Sequence, residues 1–166
     1  MPTETENAVI NLLSVTDLPP GTDPGKLIET WGNEAVTVAC EIASGAMPGL
    51  RKKIRTNAVD ALQTIDRPQA RETVQLLIKD ADTDISIRAL RAAASQKNNN
   101  AVGAMTKLLQ STALPPLLAA ETVDALIKID SSDARQALQQ YESADPTKFP
   151  HRDNNLVKQF LKARTR

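Results

Sequence analysis

Aromatic residues are almost absent from this 166-residue chain: one Trp, one Tyr and two Phe, 2% of the total. An interior therefore has to be assembled from Ala, Val, Ile and Leu, small and branched side chains that let backbones approach closely. There is one cysteine, Cys40, which excludes an internal disulfide and a cysteine-built zinc site. It lies in the apolar run AVTVACEIA and reads as a buried thiol rather than a nucleophile. The single histidine, His151, sits in the polar stretch FPHRDN, where a solvated loop side chain explains it better than general acid–base work with Asp153. Glycine-rich phosphate loops are missing. No uninterrupted apolar run reaches membrane-spanning length, and the acidic start MPTETENAVI is unlike a secretion signal. These absences point to a protein of a reducing compartment, the cytoplasm, with no membrane partner and no cofactor.

Net charge is also missing: 20 basic residues balance 20 acidic ones. Bulk attraction to nucleic acid or anionic lipid is thereby disfavoured. The balance is uneven along the chain. Up to Leu50 one basic residue faces seven acidic ones (net −6), and from Arg51 onward 19 face 13 (net +6). A homo-oligomer held by that asymmetry is one expectation. Two basic clusters, Arg51-Lys52-Lys53 with Arg55 and the tail from Lys158 to Arg166, are candidate phosphate contacts, though neither is interleaved with aromatics for base stacking. The alternating acids Asp80, Asp82 and Asp84 resemble the start of a calcium loop. The positions that would need Gly and Glu hold Ile85 and Arg91, so helix capping is the better account. Trp31, beside Gly32, is expected to cap the core at the N-terminal end rather than to anchor a partner.

What the chain has in abundance is itself. Asn57–Leu77, NAVDALQTIDRPQARETVQLL, recurs without a gap 64 residues later as Glu121–Tyr141, ETVDALIKIDSSDARQALQQY. Val-Asp-Ala-Leu, Ile-Asp and Ala-Arg are identical in the two copies. A worn middle copy aligns at an offset of 31, with Leu90, Ala101, Met105 and Leu108 standing for Val59, Ala70, Val74 and Leu77. A unit of this length that carries two apolar stripes at helical spacing is one helix pair, and it buries its faces by stacking on its neighbours. Helices are expected over 6–14, 26–31, 33–44, 51–65, 68–79, 85–96, 101–110, 115–129, 131–141 and 155–163, with turn-rich linkers at 16–25 and 143–154 and no strand. The fold class that follows is all-α, an α-solenoid of stacked antiparallel helix pairs. Residues 1–32 form a helix, linker and capping segment, 33–142 the repeats, and 143–166 a linker and capping helix.

Between Asn33 and Gln140 the pattern resembles the HEAT-repeat family, in particular the bacterial HEAT-like, phycobilin-lyase-type repeats that form a superhelix. The resemblance rests on Ala-Leu-x-x-Ile-Asp at Ala61–Asp66 and Ala125–Asp130, and on Asp84 and Arg88, which match the family's loop Asp and helical Arg. It departs at Gln96, where the family has an apolar residue, and at Pro115-Pro116, where no Asp leads the helix. The resemblance implies an Asp–Arg ladder between repeats and a curved, non-catalytic scaffold or adaptor for a macromolecule, usually a protein. Its binding surface is expected on the second helix of each pair, at Gln69, Thr73, Asn100, Gly103, Thr106, Gln136 and Gln139, polar uncharged positions suited to hydrogen bonding. Two alternatives stand beside it. One is a nucleic-acid binder using Arg51, Lys52, Lys53, Arg55 and the 158–166 tail. The other is an accessory subunit of an enzyme, lyase-like or chaperone-like.

Overall fold

A computed structural model describes residues 1–145, 147 and 154–164. These residues form ten α-helices and no strand: α1 (Glu4–Ser14), α2 (Pro24–Thr30), α3 (Asn33–Ser44), α4 (Lys52–Leu62), α5 (Pro68–Leu77), α6 (Thr83–Ser95), α7 (Val102–Leu109), α8 (Pro116–Ile129), α9 (Ser132–Ser143) and α10 (Asn154–Arg164). A 3₁₀ turn at Asn99–Ala101 leads into α7.

The ends of the helices follow from local chemistry. Thr3 starts α1 two residues earlier than the apolar pattern suggests, because it forms a capping box with Glu6: its hydroxyl accepts from the Glu6 amide at 3.1 Å, and its own amide donates to the Glu6 carboxylate at 2.5 Å. Asp23 caps α2 with Pro24 behind it, Asp82 caps α6 and Ser131 caps α9. Gly45, at φ +80°, closes α3 in the left-handed conformation. Asp130 closes α8 in the same conformation at φ +49°, an uncommon position for a residue with a side chain. Helix α4 stops at Leu62, short of the expected Ile65, as Gln63, Thr64 and Ile65 switch to bonds three residues back, on Asp60, Ala61 and Leu62.

Helices pack on near neighbours in chain order. Helix α6 lies between α4 and α8, and also against α5. Helix α3 meets α4 and α5; α7 meets α8 and α9; α10 rests on α9 and, less extensively, on α8. One continuous aliphatic core runs through all of them, with Ile28, Ile42, Leu62, Ile78, Ile85, Leu90, Met105, Leu126 and Leu138 fully enclosed. Ala accounts for much of the contact surface of α6: Ala89, Ala92, Ala93 and Ala94 are all buried. This is how the chain forms a core almost without aromatics.

The N-terminal helix is docked rather than detached. Val9 and Leu13 are buried, α1 packs on α3 and α4, and the Asn57 amide donates to the Leu13 carbonyl at 2.8 Å. Trp31 departs from its expected capping role: it is 46% exposed at the end of α2, and Ile28, one turn earlier, fills the interior position instead. His151 and Arg166 lie outside the described residues.

Candidate interaction surface

Two kinds of polar surface can be told apart by what their charges do. Along α4, α6 and α8, cations and carboxylates bind one another between helices and within them. Arg88 on α6 reaches Asp60 on α4 and, at 3.2 Å, Asp84. Arg91 forms a two-point pair with Glu121 on α8, at 2.5 and 3.1 Å. Lys128 meets Asp124 one turn away at 2.8 Å. Burial leaves the Asp60 carboxyl titrating above its usual range, in spite of the lowering pull of Arg88.

The cluster at Arg51–Arg55 is partly consumed in the same way. The Arg55 guanidinium is half-buried, donating to the Ala43 carbonyl at 2.9 Å and to Asp80 at 2.6 Å. Lys52 pairs with Asp82 at 2.8 Å. Arg51 and Lys53 remain exposed and make no ion pair with the described residues. So two of the four cations expected to face phosphate have intramolecular partners, and Arg55 points into the structure. The alternating acids act as the capping account requires: Asp80 and Asp82 accept backbone amides at 2.9 and 3.0 Å and Asp84 holds Arg88.

The C-terminal cations are likewise engaged. Asp130 accepts from Arg135 at 2.8 Å and from Arg164 at 2.8 and 3.0 Å, joining the end of α8 to α9 and α10. Arg164, then Arg135, hold this carboxyl well below the usual carboxylate range. Arg164 also lies over the Phe160 ring, 3.8 Å from its centroid. Asp66 and Arg71 repeat the Asp130–Arg135 spacing at 2.8 Å. Arg164 as a clamp was hidden in the sequence because its partner lies 34 residues away.

The other expected residues lie on α5, the turn at Asn99–Ala101, α7 and α9. Gln69, Asn100, Gly103, Gln136 and Gln139 are exposed there, and Thr73 and Thr106 half-buried. The structure does not bring all seven into one cleft. Gly103, Thr106 and Gln136 line a groove of about 330 Å³ between α7 and α9, together with Asn99, Asp133 and Gln140. Asn100 lines a second hollow of about 240 Å³ with Glu72 and Gln75 of α5. Gln69 accepts from the Thr37 hydroxyl of α3 through its amide oxygen at 3.1 Å. The Thr73 hydroxyl donates to the Gln69 carbonyl at 2.8 Å and lies beside the thiol of Cys40. Burial raises the pKa of that thiol above its ordinary value.

A further hollow, about 610 Å³, lies between the end of α1, residues 15–24 and α4. Of its charged residues, Asp23 caps α2 and accepts from Thr64 at 2.8 Å, Asp60 is held by Arg88, and Lys53 stands at the wall. No helix among the described residues is long and apolar enough to span a membrane. No protein-family model matches the chain, and no curated protein matches it significantly.

Proposed function

We propose that this protein is a non-catalytic scaffold: a HEAT-like α-solenoid that binds a protein partner on the face made by α3, α5, α7 and α9. The observation that carries the reading is the contrast between the two surfaces. Most charged groups of α4, α6 and α8 pair with one another, Arg88 with Asp60 and Arg91 with Glu121 between helices and Lys128 with Asp124 within one. Exposed amides and two shallow grooves lie along the other row, where hydrogen-bonding capacity is left for another molecule, whereas the hollow of about 410 Å³ between α6 and α8 is walled by Arg91, Glu121, Asp124 and Lys128, which pair with one another. Packing on near neighbours in chain order and the repeated Asp–Arg spacing support the solenoid reading. The alternative, phosphate binding by Arg51, Lys52, Lys53 and Arg55, is weakened by the partners that Lys52 and Arg55 already have.

A double variant, Gly103→Tyr with Gln136→Arg, fills the α7–α9 groove without touching a buried group. It should keep the melting temperature and lose the partner in affinity capture from the source extract. An Arg51→Glu, Lys53→Glu variant should retain it. The reverse pattern would move the binding site to the basic cluster.

A further inference from the structure

The segment that joins α1 to α2 is fastened to α4 at two points. The Asn57 amide donates to the Leu13 carbonyl and the Thr64 hydroxyl donates to the Asp23 carboxylate, each at 2.8 Å. Asn57 and Thr64 lie about 10 Å apart along the helix direction, whereas the residues between Leu13 and Asp23 could span about 30 Å. The slack is taken up by an arch. Its bend is a type II turn, Pro20 followed by Gly21 at φ +82°, closed by the Thr22 amide on the Pro19 carbonyl at 3.0 Å. The hollow of about 610 Å³ is the space between arch and helix, a volume usual for small-ligand sites. Leu12, Val15 and Leu18 give it an aliphatic wall, and Val15 and Leu18 stand outside the core. Its other wall is a stripe of α4, in which Lys53, Asn57 and Asp60 follow one another at one-turn spacing. Lys53, Asp60 and Asp23 are the charged residues that line the hollow; Asp17, in the arch, is exposed and outside the lining. Asp23 is occupied by the Lys26 amide and Thr64. Asp60 gives one oxygen to Arg88, and its other oxygen accepts from no described group. The side-chain oxygen of Asn57 is likewise open, and Lys53 makes no ion pair with the described residues. Burial outweighs Arg88 at the Asp60 carboxyl, so a further positive charge beside it is favoured.

We propose that this hollow binds a free α-amino acid with an aliphatic side chain. An ammonium group has three donors and no acceptor, which suits the open oxygens of Asn57 and Asp60. The carboxylate of the same molecule lies towards Lys53, whose flexible four-carbon stem spans the remaining turn. The aliphatic side chain displaces water from Leu12, Val15 and Leu18. A ligand with one charge alone leaves either Asp60 or Lys53 unmatched, so opposite charges on one stripe select a zwitterion. The hollow is separate from the α7–α9 groove, and this inference and the scaffold reading stand or fall independently.

The test is titration calorimetry of the full chain with L-leucine and its two halves: isocaproate, which lacks the ammonium, and isopentylamine, which lacks the carboxylate. L-Leucine should bind about fivefold more tightly than either half. Lys53→Met should weaken L-leucine about fivefold and leave isopentylamine unchanged; Lys53 is exposed, so this variant tests the charge match without touching the core. Leu18→Trp, which fills the hollow from the arch, should remove binding of all three at an unchanged melting temperature. Absence of L-leucine binding, or a half that binds as well as the whole, overturns the proposal. So does L-leucine binding that both variants leave intact.

Discussion

Two glycines show how differently one residue type can matter. Gly25, in α2, faces the end of α4 so closely that an added Cβ would sit 2.2 Å from the Ala61 carbonyl oxygen and 2.2 Å from the Thr64 hydroxyl. The backbone oxygen cannot swing away, so Gly25→Ala should destabilise the fold by about 1–3 kcal/mol, seen as an earlier denaturant midpoint. Gly103, inside α7, has no atom within 4 Å of the same position. There Gly103→Ala should stabilise by about 0.4–1 kcal/mol, since alanine restricts the unfolded chain and favours helix. Equal midpoints for the two variants would refute the close approach. Periodicity fixed which residues face inward, because Val9, Leu62, Val74, Leu90 and Met105 all sit where an apolar stripe puts them. Gly25 was read only as the end of a linker, because a close backbone approach between segments 36 residues apart leaves no mark on local sequence.

At the scale of elements, helices are fastened to one another by a few side chains at their ends. Gln96, which ends α6, donates to the Leu62 carbonyl at the end of α4 at 2.9 Å and accepts from Asn98 at 3.2 Å. Asn98 in turn is 3% exposed and donates to the Arg71 carbonyl of α5 at 3.1 Å. An apolar residue at 96, as the HEAT pattern has it, would leave the Leu62 carbonyl and one Asn98 proton without these partners. Gln96→Leu should therefore cost about 1–3 kcal/mol in thermal or denaturant unfolding, whereas a gain in stability would show that packing outweighs the lost bonds. From the sequence, Gln96 was only a departure from the pattern. Its role depends on which carbonyl comes within reach, and that is set by how α4 and α6 align rather than by either helix alone. The helices themselves were legible almost to the residue at Asn33–Ser44, since Gly32 and Gly45 bracket that apolar run. The sequence offered polar positions, but not the groove that Gly103, Thr106 and Gln136 line, because α7 and α9 shape it together.

Over the whole molecule, packing among near neighbours makes stability a graded property. Helix α6 packs extensively on α4, α5 and α8, whereas α1 and α10, at the two ends of the described chain, pack less extensively on α2, α3 and α4 and on α8 and α9. In hydrogen exchange, the amides of α6 should be the slowest, and those of α1 and α10 should exchange first. Uniform protection from end to end would mean that the chain opens only as a unit. The charge asymmetry takes on a different meaning at this scale. The acidic first third contributes Glu34 and Glu41 to the row of second helices, while many cations of the remainder are tied up between helices.

The thiol of Cys40 sits 5% exposed between α3 and α5, beside Thr73. A reagent in solution can reach it only when the two helices part. The chain thereby carries its own clock for breathing at this seam. The rate at which the sulfur is alkylated counts openings, and a ligand that straps α3 to α5 would slow the count without touching the sulfur.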